Sequence, residues 1–312
     1  MACPAGYTIK DLDLSSGQTQ DQENDNSEKT LPMVTLYPPT AEPKILLDLM
    51  PEPIIGLLSG QPAIMMQWLK YGLARGSVEH SNFGERVLRR GIETGRYMTA
   101  AVYGTYEEKA AITSLVHKYH SRVRGKADEQ GPDYMADDPE LHRWTAATLF
   151  WAFSTVYEMV FKPMPREWHE RLMQECSIFA TSLRMPTEMW FTKLDDFWEY
   201  WNHNVATLEV TDWARRLMKQ LLWPKVPLLL APASAWINNY MRSFTIQMLP
   251  DRIREGYGLS KTPLKTRIYK LRKMHTRATA RMTPKPLRQA MKPLMLMDMR
   301  RSAARIQKRG TW

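Results

Sequence analysis

Residues 139–161, PELHRWTAATLFWAFSTVYEMVF, span about six helical turns and carry aromatic or aliphatic side chains on most sides. A helix with no polar face cannot lie on a surface and has to be enclosed by other elements. Pro163 and Pro165 stop it. Around this segment the chain repeats one pattern, in which apolar residues recur at helical spacing between prolines and glycines. Helices are expected over Gly84–Tyr103, Tyr106–Arg124 (ending at Gly125), Arg166–Thr181, Thr187–Thr207, Thr211–Leu222, Trp236–Met248, Pro263–Met282 and Pro286–Lys308. Three or four more are expected between Lys44 and the first of these. No alternating run of useful length suggests a strand. The fold class is therefore all-α: one multi-helix domain.

Three regions follow from composition. Residues 1–42 are polar and then proline-rich, and read as a disordered leader. Residues 43–262 hold the helical catalytic domain, and residues 263–312 form basic C-terminal helices and a tail packed on the same domain. With 312 residues and 44% hydrophobic content the chain buries one large core. Two cysteines, Cys3 and Cys176, make no disulfide framework. No secretory signal stands at the N-terminus, and the most apolar window, Leu221–Tyr240, is cut by three prolines and a lysine. The expectation is an intracellular protein, cytoplasmic or peripheral on an internal membrane, and not secreted. The net charge of +10 is concentrated beyond Lys261, where Met and Leu interleave with Lys and Arg. That mixture suits peripheral contact with an anionic membrane, or a solvated helix face, better than nucleic acid, for which no reading motif is present.

Chemistry-bearing residues are sparse. Arg86, Arg90 and Thr94 are four apart and line one face of their helix. On the next helix Ile112, Leu115, Val116, Tyr119 and Val123 form an inner stripe, with His120 at its edge and His117 turned further away. A histidine at such an edge is either a hydrogen-bonded core residue or a metal ligand, and the spacing alone leaves both open. Asp137-Asp138 and Asp195-Asp196 are neighbours that diverge on a helix, so neither pair makes a natural metal clamp. Trp198, Tyr200, Trp201 and His203 read as core packing or pocket wall, with His203 a secondary polar contact. No phosphate loop, nucleophile elbow or zinc signature occurs. The 21 methionines suit an irregular apolar pocket as well as a core.

Ordered segments add a resemblance. Gly60, Met65, Met66, Gln67, Gly76, Val78, His80, Ser81 and Phe83, then Arg90-x-x-x-Thr94, Tyr103-Gly104, His120-x-x-Val123-x-Gly125, Tyr134 through Glu140, Trp144, and Leu249-Pro250 through Leu259 appear in sequence. Together they resemble the family of fungal MpaB-type oxygenases and the catalytic domain of bacterial rubber oxygenase. The resemblance implies an all-helical, partly globin-like fold that binds haem b through one histidine, here His120, with its second nitrogen held by an acceptor. It implies Arg90 and Thr94 as the distal pair. The guanidinium would hold a haem propionate or polarise bound oxygen, and the hydroxyl would donate to that oxygen. Gln67, His80, Glu93, Trp144 and His203 are the further pocket candidates. Two positions depart from the family: Glu93 stands where rubber oxygenase has lysine, and Ala146 stands where many members have histidine.

The resulting expectation is a haem-dependent oxygenase acting on an apolar small molecule, prenyl-derived or polyketide-like, in secondary metabolism. The alternative is a cyclase, isomerase or pericyclic catalyst that uses the same helical pocket without redox chemistry, which Ala146 and Glu93 favour. A carrier without turnover is the third reading.

Overall fold

The computed structural model describes residues 36–80, 83–129, 131–224 and 231–312. Most of the expected leader, and part of the proline-cut segment after Trp223, lie outside the described residues. The helices are α1 Ile45–Leu49, α2 Pro53–Gln67, α3 Tyr71–Glu79, α4 Phe83–Tyr103, α5 Tyr106–His120, α6 Pro139–Val160, α7 Arg166–Cys176, α8 Ile178–Thr181, α9 Leu194–Thr207, α10 Asp212–Leu222, α11 Ala231–Met248, α12 Asp251–Gly256, α13 Pro263–Met282, α14 Lys285–Arg288 and α15 Lys292–Arg309. Between α5 and α6 sits one small antiparallel hairpin, β1 Arg124–Gly125 and β2 Tyr134–Met135. The protein is all-α.

The helix without a polar face, α6, is the central element. It packs along α2 and is also met by α7, α8 and α13. Trp144, Ala146, Ala147, Phe150, Ala152 and Val156 on it are completely buried, and burying a side chain the size of Phe150 contributes about 2–3 kcal/mol. Trp144 satisfies its indole N–H on the Met66 carbonyl at 2.9 Å, which pins α6 to the end of α2. Two buried carboxylates tie remote segments to this core. Glu175 on α7 accepts from the Ile45 and Leu46 amides at 3.1 and 2.9 Å, supplying the N-terminal cap that α1 lacks from its own neighbours. Glu52 pairs with Arg288 at 2.8 Å and so draws α14 onto the corner between α1 and α2. A second apolar cluster forms where Met299, Ala303 and Ile306 of α15 meet Tyr97, Ala100, Ile112 and Leu115 of α4 and α5.

Several boundaries differ from the sequence reading. The helix expected to run to Arg124 and end at Gly125 ends instead at His120, and Gly125 is a hairpin residue. Glycine at this position serves the hairpin rather than a helix end: a Cβ at Gly125 would run into the Tyr134 ring. The helix expected over Arg166–Thr181 breaks at Ser177, and Thr187 opens a 3-10 turn, Thr187–Met189, before α9 rather than α9 itself. The last helix is divided into α14 and α15. Among the described residues no helix is long and apolar enough to cross a membrane.

Candidate functional site

The end of α5, the hairpin and the start of α6 converge on one corner. Thr105 starts α5 with a reciprocal capping box through Glu108, and the helix delivers His117 and His120 in its last turn. The chain turns back through the hairpin, where Ala136 N–H bonds to the Val123 carbonyl at 2.9 Å and returns Asp137 alongside α5. Asp138 then caps α6 through the Glu140 amide at 2.9 Å, with Pro139 at the first helical position. One turn into α6, His142 faces back toward His120. The adjacent carboxylates thus divide their roles: Asp138 is spent on the helix, and Asp137 turns to the histidines.

The geometry is tight. His117 Nδ1 lies 3.3 Å from Asp137 Oδ2, and His120 Nδ1 lies 3.9 Å from Asp137 Oδ1. The rings of His120 and His142 are stacked, with centroids 5.6 Å apart and planes inclined by 20°. One ligand atom from each of His120, Asp137 and His142 falls within 4.8 Å of the others. His142 is only 4% exposed. Its Nε2 and the Nδ1 of His120 are both buried without a hydrogen-bond partner. Native proteins rarely leave such atoms unmatched, and each costs about 1–3 kcal/mol when they do.

Burial also sets the protonation states. Desolvation is the main cause that lowers His120 to about 4, with the Arg90 and His117 charges adding to it and Asp137 opposing. Desolvation likewise lowers His142 to about 3, assisted by His120. Burial pushes the Asp137 carboxyl up, but its hydrogen bond from His117 and the surrounding imidazoles hold it below the usual carboxylate range. At neutral pH the corner therefore holds two neutral imidazoles and one carboxylate anion, the protonation state that metal ligation requires.

The other sequence candidates are placed as follows. Arg90 on α4 is half-buried and its charge reaches His120. Thr94, the other member of the expected distal pair, is exposed, and among the described side chains of α4 the first that is fully buried is Tyr97. Glu93 is half-buried and paired with Arg89 at 2.9 Å. Gln67 donates to Thr148 at 3.1 Å and joins α2 to α6. His80, exposed at the end of α3, contacts the Arg124 carbonyl at 3.1 Å and so belongs to the hairpin's footing. Trp144 stacks on Trp201 with centroids 5.3 Å apart, inside the core. His203 is exposed on α9 and takes no part in the corner. Asp137 and His142 were not among the sequence candidates. The one signal that pointed toward His142 is Ala146, which sits a single turn further along the same face of α6.

A model of the family described as ER-bound oxygenase mpaB/B'/Rubber oxygenase, catalytic domain, matches residues 49–282. The chain belongs to this oxygenase family. It is also 29% identical, over 140 residues, to an uncharacterized protein of Mycobacterium bovis and to one of Mycobacterium tuberculosis. That match takes in 45% of this chain and 54% of each relative, so the chain spans about half the length of the curated relatives it matches. No solved structure matches the chain.

Haem b on His120, the group that the resemblance implies, can be tested against these residues. A macrocycle bonded at Nδ1 would have to spread through the space that Asp137 and the stacked His142 ring occupy. Bonded at the other nitrogen, it would leave Asp137, 3.9 Å from Nδ1, as the acceptor on the far side of the ring and would not reach the buried Nε2 of His142. The space between His120 Nδ1, Asp137 and His142 is therefore too small for haem, and its donors are those of a small cation.

Proposed function

We propose that the chain is an iron-dependent oxygenase acting on an apolar small molecule, prenyl-derived or polyketide-like, with its reaction centre at the corner formed by His120, Asp137 and His142. The observation that carries this reading is the pair of buried, unmatched imidazole nitrogens beside a carboxylate, in a chain of an oxygenase family. Iron held there would supply the binding and activation of dioxygen.

The chain's own residues support the surrounding chemistry. His117 fixes the Asp137 carboxylate from the side away from His120. Arg90 contributes positive charge near His120, where developing negative charge on a substrate oxygen would be stabilised. The N-terminal half of α4 leaves Leu88 and Ile92 67% and 53% exposed, and Gly91 and Gly95 have open space where a Cβ would stand. This surface suits an apolar chain. The reading without redox chemistry rests on Ala146 and Glu93; with His142 one turn before Ala146 on the same face, the first of these no longer separates the two readings.

The test is oxygen uptake and isotope incorporation. The full chain, supplied with Fe(II) and a prenyl-chain substrate, is expected to consume dioxygen and place labelled oxygen from ¹⁸O₂ in the product. Substrate turnover without oxygen consumption would refute the oxygenase reading in favour of a cyclase or isomerase, and no turnover with tight substrate binding would favour a carrier.

A further inference from the structure

We propose that His120, Asp137 and His142 bind one divalent first-row transition ion directly, through His120 Nδ1, an Asp137 carboxylate oxygen and His142 Nε2. The inference deepens the oxygenase reading by naming the form of its metal, and it depends on that reading only for the choice of iron.

Three independent observations meet at this corner. The first is composition: two imidazoles and one carboxylate are the donor set of non-haem iron oxygenases, and they leave coordination positions open for substrate and oxygen. The second is distance. One ligand atom of each residue lies within 4.8 Å of the others, with His120 Nδ1 3.9 Å from Asp137 Oδ1, and bonds of about 2.0–2.2 Å to a shared ion place donors about 3–3.5 Å apart, so the widest separation has to close by about 1.5 Å. The third is the pair of unmatched nitrogens, which belong to the same two histidines and are both buried. Separately each would be an isolated defect. One ion between them removes both at once and neutralises the carboxylate that accompanies them.

The surroundings are those of a held site. His117 braces the far oxygen of Asp137 at 3.3 Å, leaving the other oxygen, the one nearer His120, to face the ion. Such a brace orients a ligating carboxylate, and its loss costs metal affinity about 10–100-fold. The stacking of His120 on His142 fixes both ring planes. Asp138, by capping α6, fixes the position of the turn that carries His142. Ala146, buried in the core, has no donor to offer, so in this chain the helix presents its imidazole one turn nearer the end of α5.

The experiment uses the full chain stripped with chelator and titrated with Co²⁺, followed by visible absorption. The expected result is one equivalent bound, with X-ray absorption of the loaded wild-type protein reporting two imidazole ligands. The variants His120→Ala, Asp137→Ala and His142→Ala each lose more than about 100-fold in affinity, and His117→Ala loses about 10–100-fold. His203→Ala binds as the wild type does. Absence of a stoichiometric site, a site without imidazole in the absorption fit, or affinity unchanged in His142→Ala overturns the proposal. Dioxygen uptake on the same protein loaded with Fe(II) separates this inference from the one beneath it. Uptake by a protein whose iron sits in haem and is indifferent to His142 overturns the direct site and retains the oxygenase. A stoichiometric ion at these three residues, with substrate turned over and no uptake, does the reverse.

Discussion

Gly125→Ala places one methyl group against the hairpin that positions Asp137. A Cβ at Gly125 would run into Tyr134 Cε1 and stand 2.9 and 3.0 Å from its Cζ and hydroxyl. Tyr134 is buried, and its hydroxyl donates to Glu79 at 2.6 Å, so the ring cannot withdraw without losing that bond. Overpacking of this kind costs about 1–3 kcal/mol, and a hydrogen bond to a charged acceptor contributes about 1.5–3 kcal/mol. Replacing glycine stiffens the unfolded chain and returns about 0.4–1 kcal/mol. The net expectation is a loss of about 2–5 kcal/mol. Urea unfolding of the metal-free protein measures it, with Gly91→Ala as the control. Gly91 is a helical residue with nothing within 4 Å of the point where an added methyl group would stand, so alanine there should stabilise by about 0.5–1 kcal/mol. Because Asp137 follows β2 by two residues, Co²⁺ affinity should fall in Gly125→Ala as well. An unfolding free energy within about 0.5 kcal/mol of the wild type would refute the steric account of this hairpin.

Three further outcomes follow. His120 and His142 have folded values of about 4 and about 3, both below the ordinary value of about 6.5. The unfolded chain therefore binds more protons, and the stability they contribute is complete above about pH 6.5 and is lost as pH falls toward the folded values. A urea midpoint of metal-free protein that stays flat over that window would contradict the desolvation of the half-buried His120 and the buried His142; in His142→Gln the slope should be shallower. Glu175→Ala strips the cap from α1 and leaves two amides and Arg171 without their acceptor, for a cost of about 2–4 kcal/mol; a variant that melts with the wild type would sink this assignment. The basic C-terminal helices expose Met291, Leu294 and Met297, and the chain is expected to sediment with anionic vesicles, less so as salt rises, and not with neutral ones. Equal sedimentation with both would rule out an electrostatic surface contact.

The scaffold was legible because its rules are local. A helix with no polar face announces its own burial, and prolines mark where helices begin, as Pro139, Pro165 and Pro263 do here. Gly125 misled for a physical reason: glycine ends helices and also clears space for a ring, and only the position of Tyr134 decides between the two. The corner was half legible. His120 stood at the edge of an apolar stripe, but Asp137 and His142 reach it across a hairpin, and no periodicity connects residues on opposite sides of a turn. Asp137 was set aside on the assumption that it shared a helix with Asp138, whereas the cap separates them. Thr94 is exposed: a shared face with Arg90 says nothing about whether that part of α4 is covered.

The most direct test of the account is the metal content and visible spectrum of the full chain purified from iron-replete cells, for the wild type and for His142→Ala side by side. About one iron per chain is expected in the wild type, with no Soret band and with loss of the iron in His142→Ala. A Soret band that survives in His142→Ala and vanishes only in His120→Ala would contradict it.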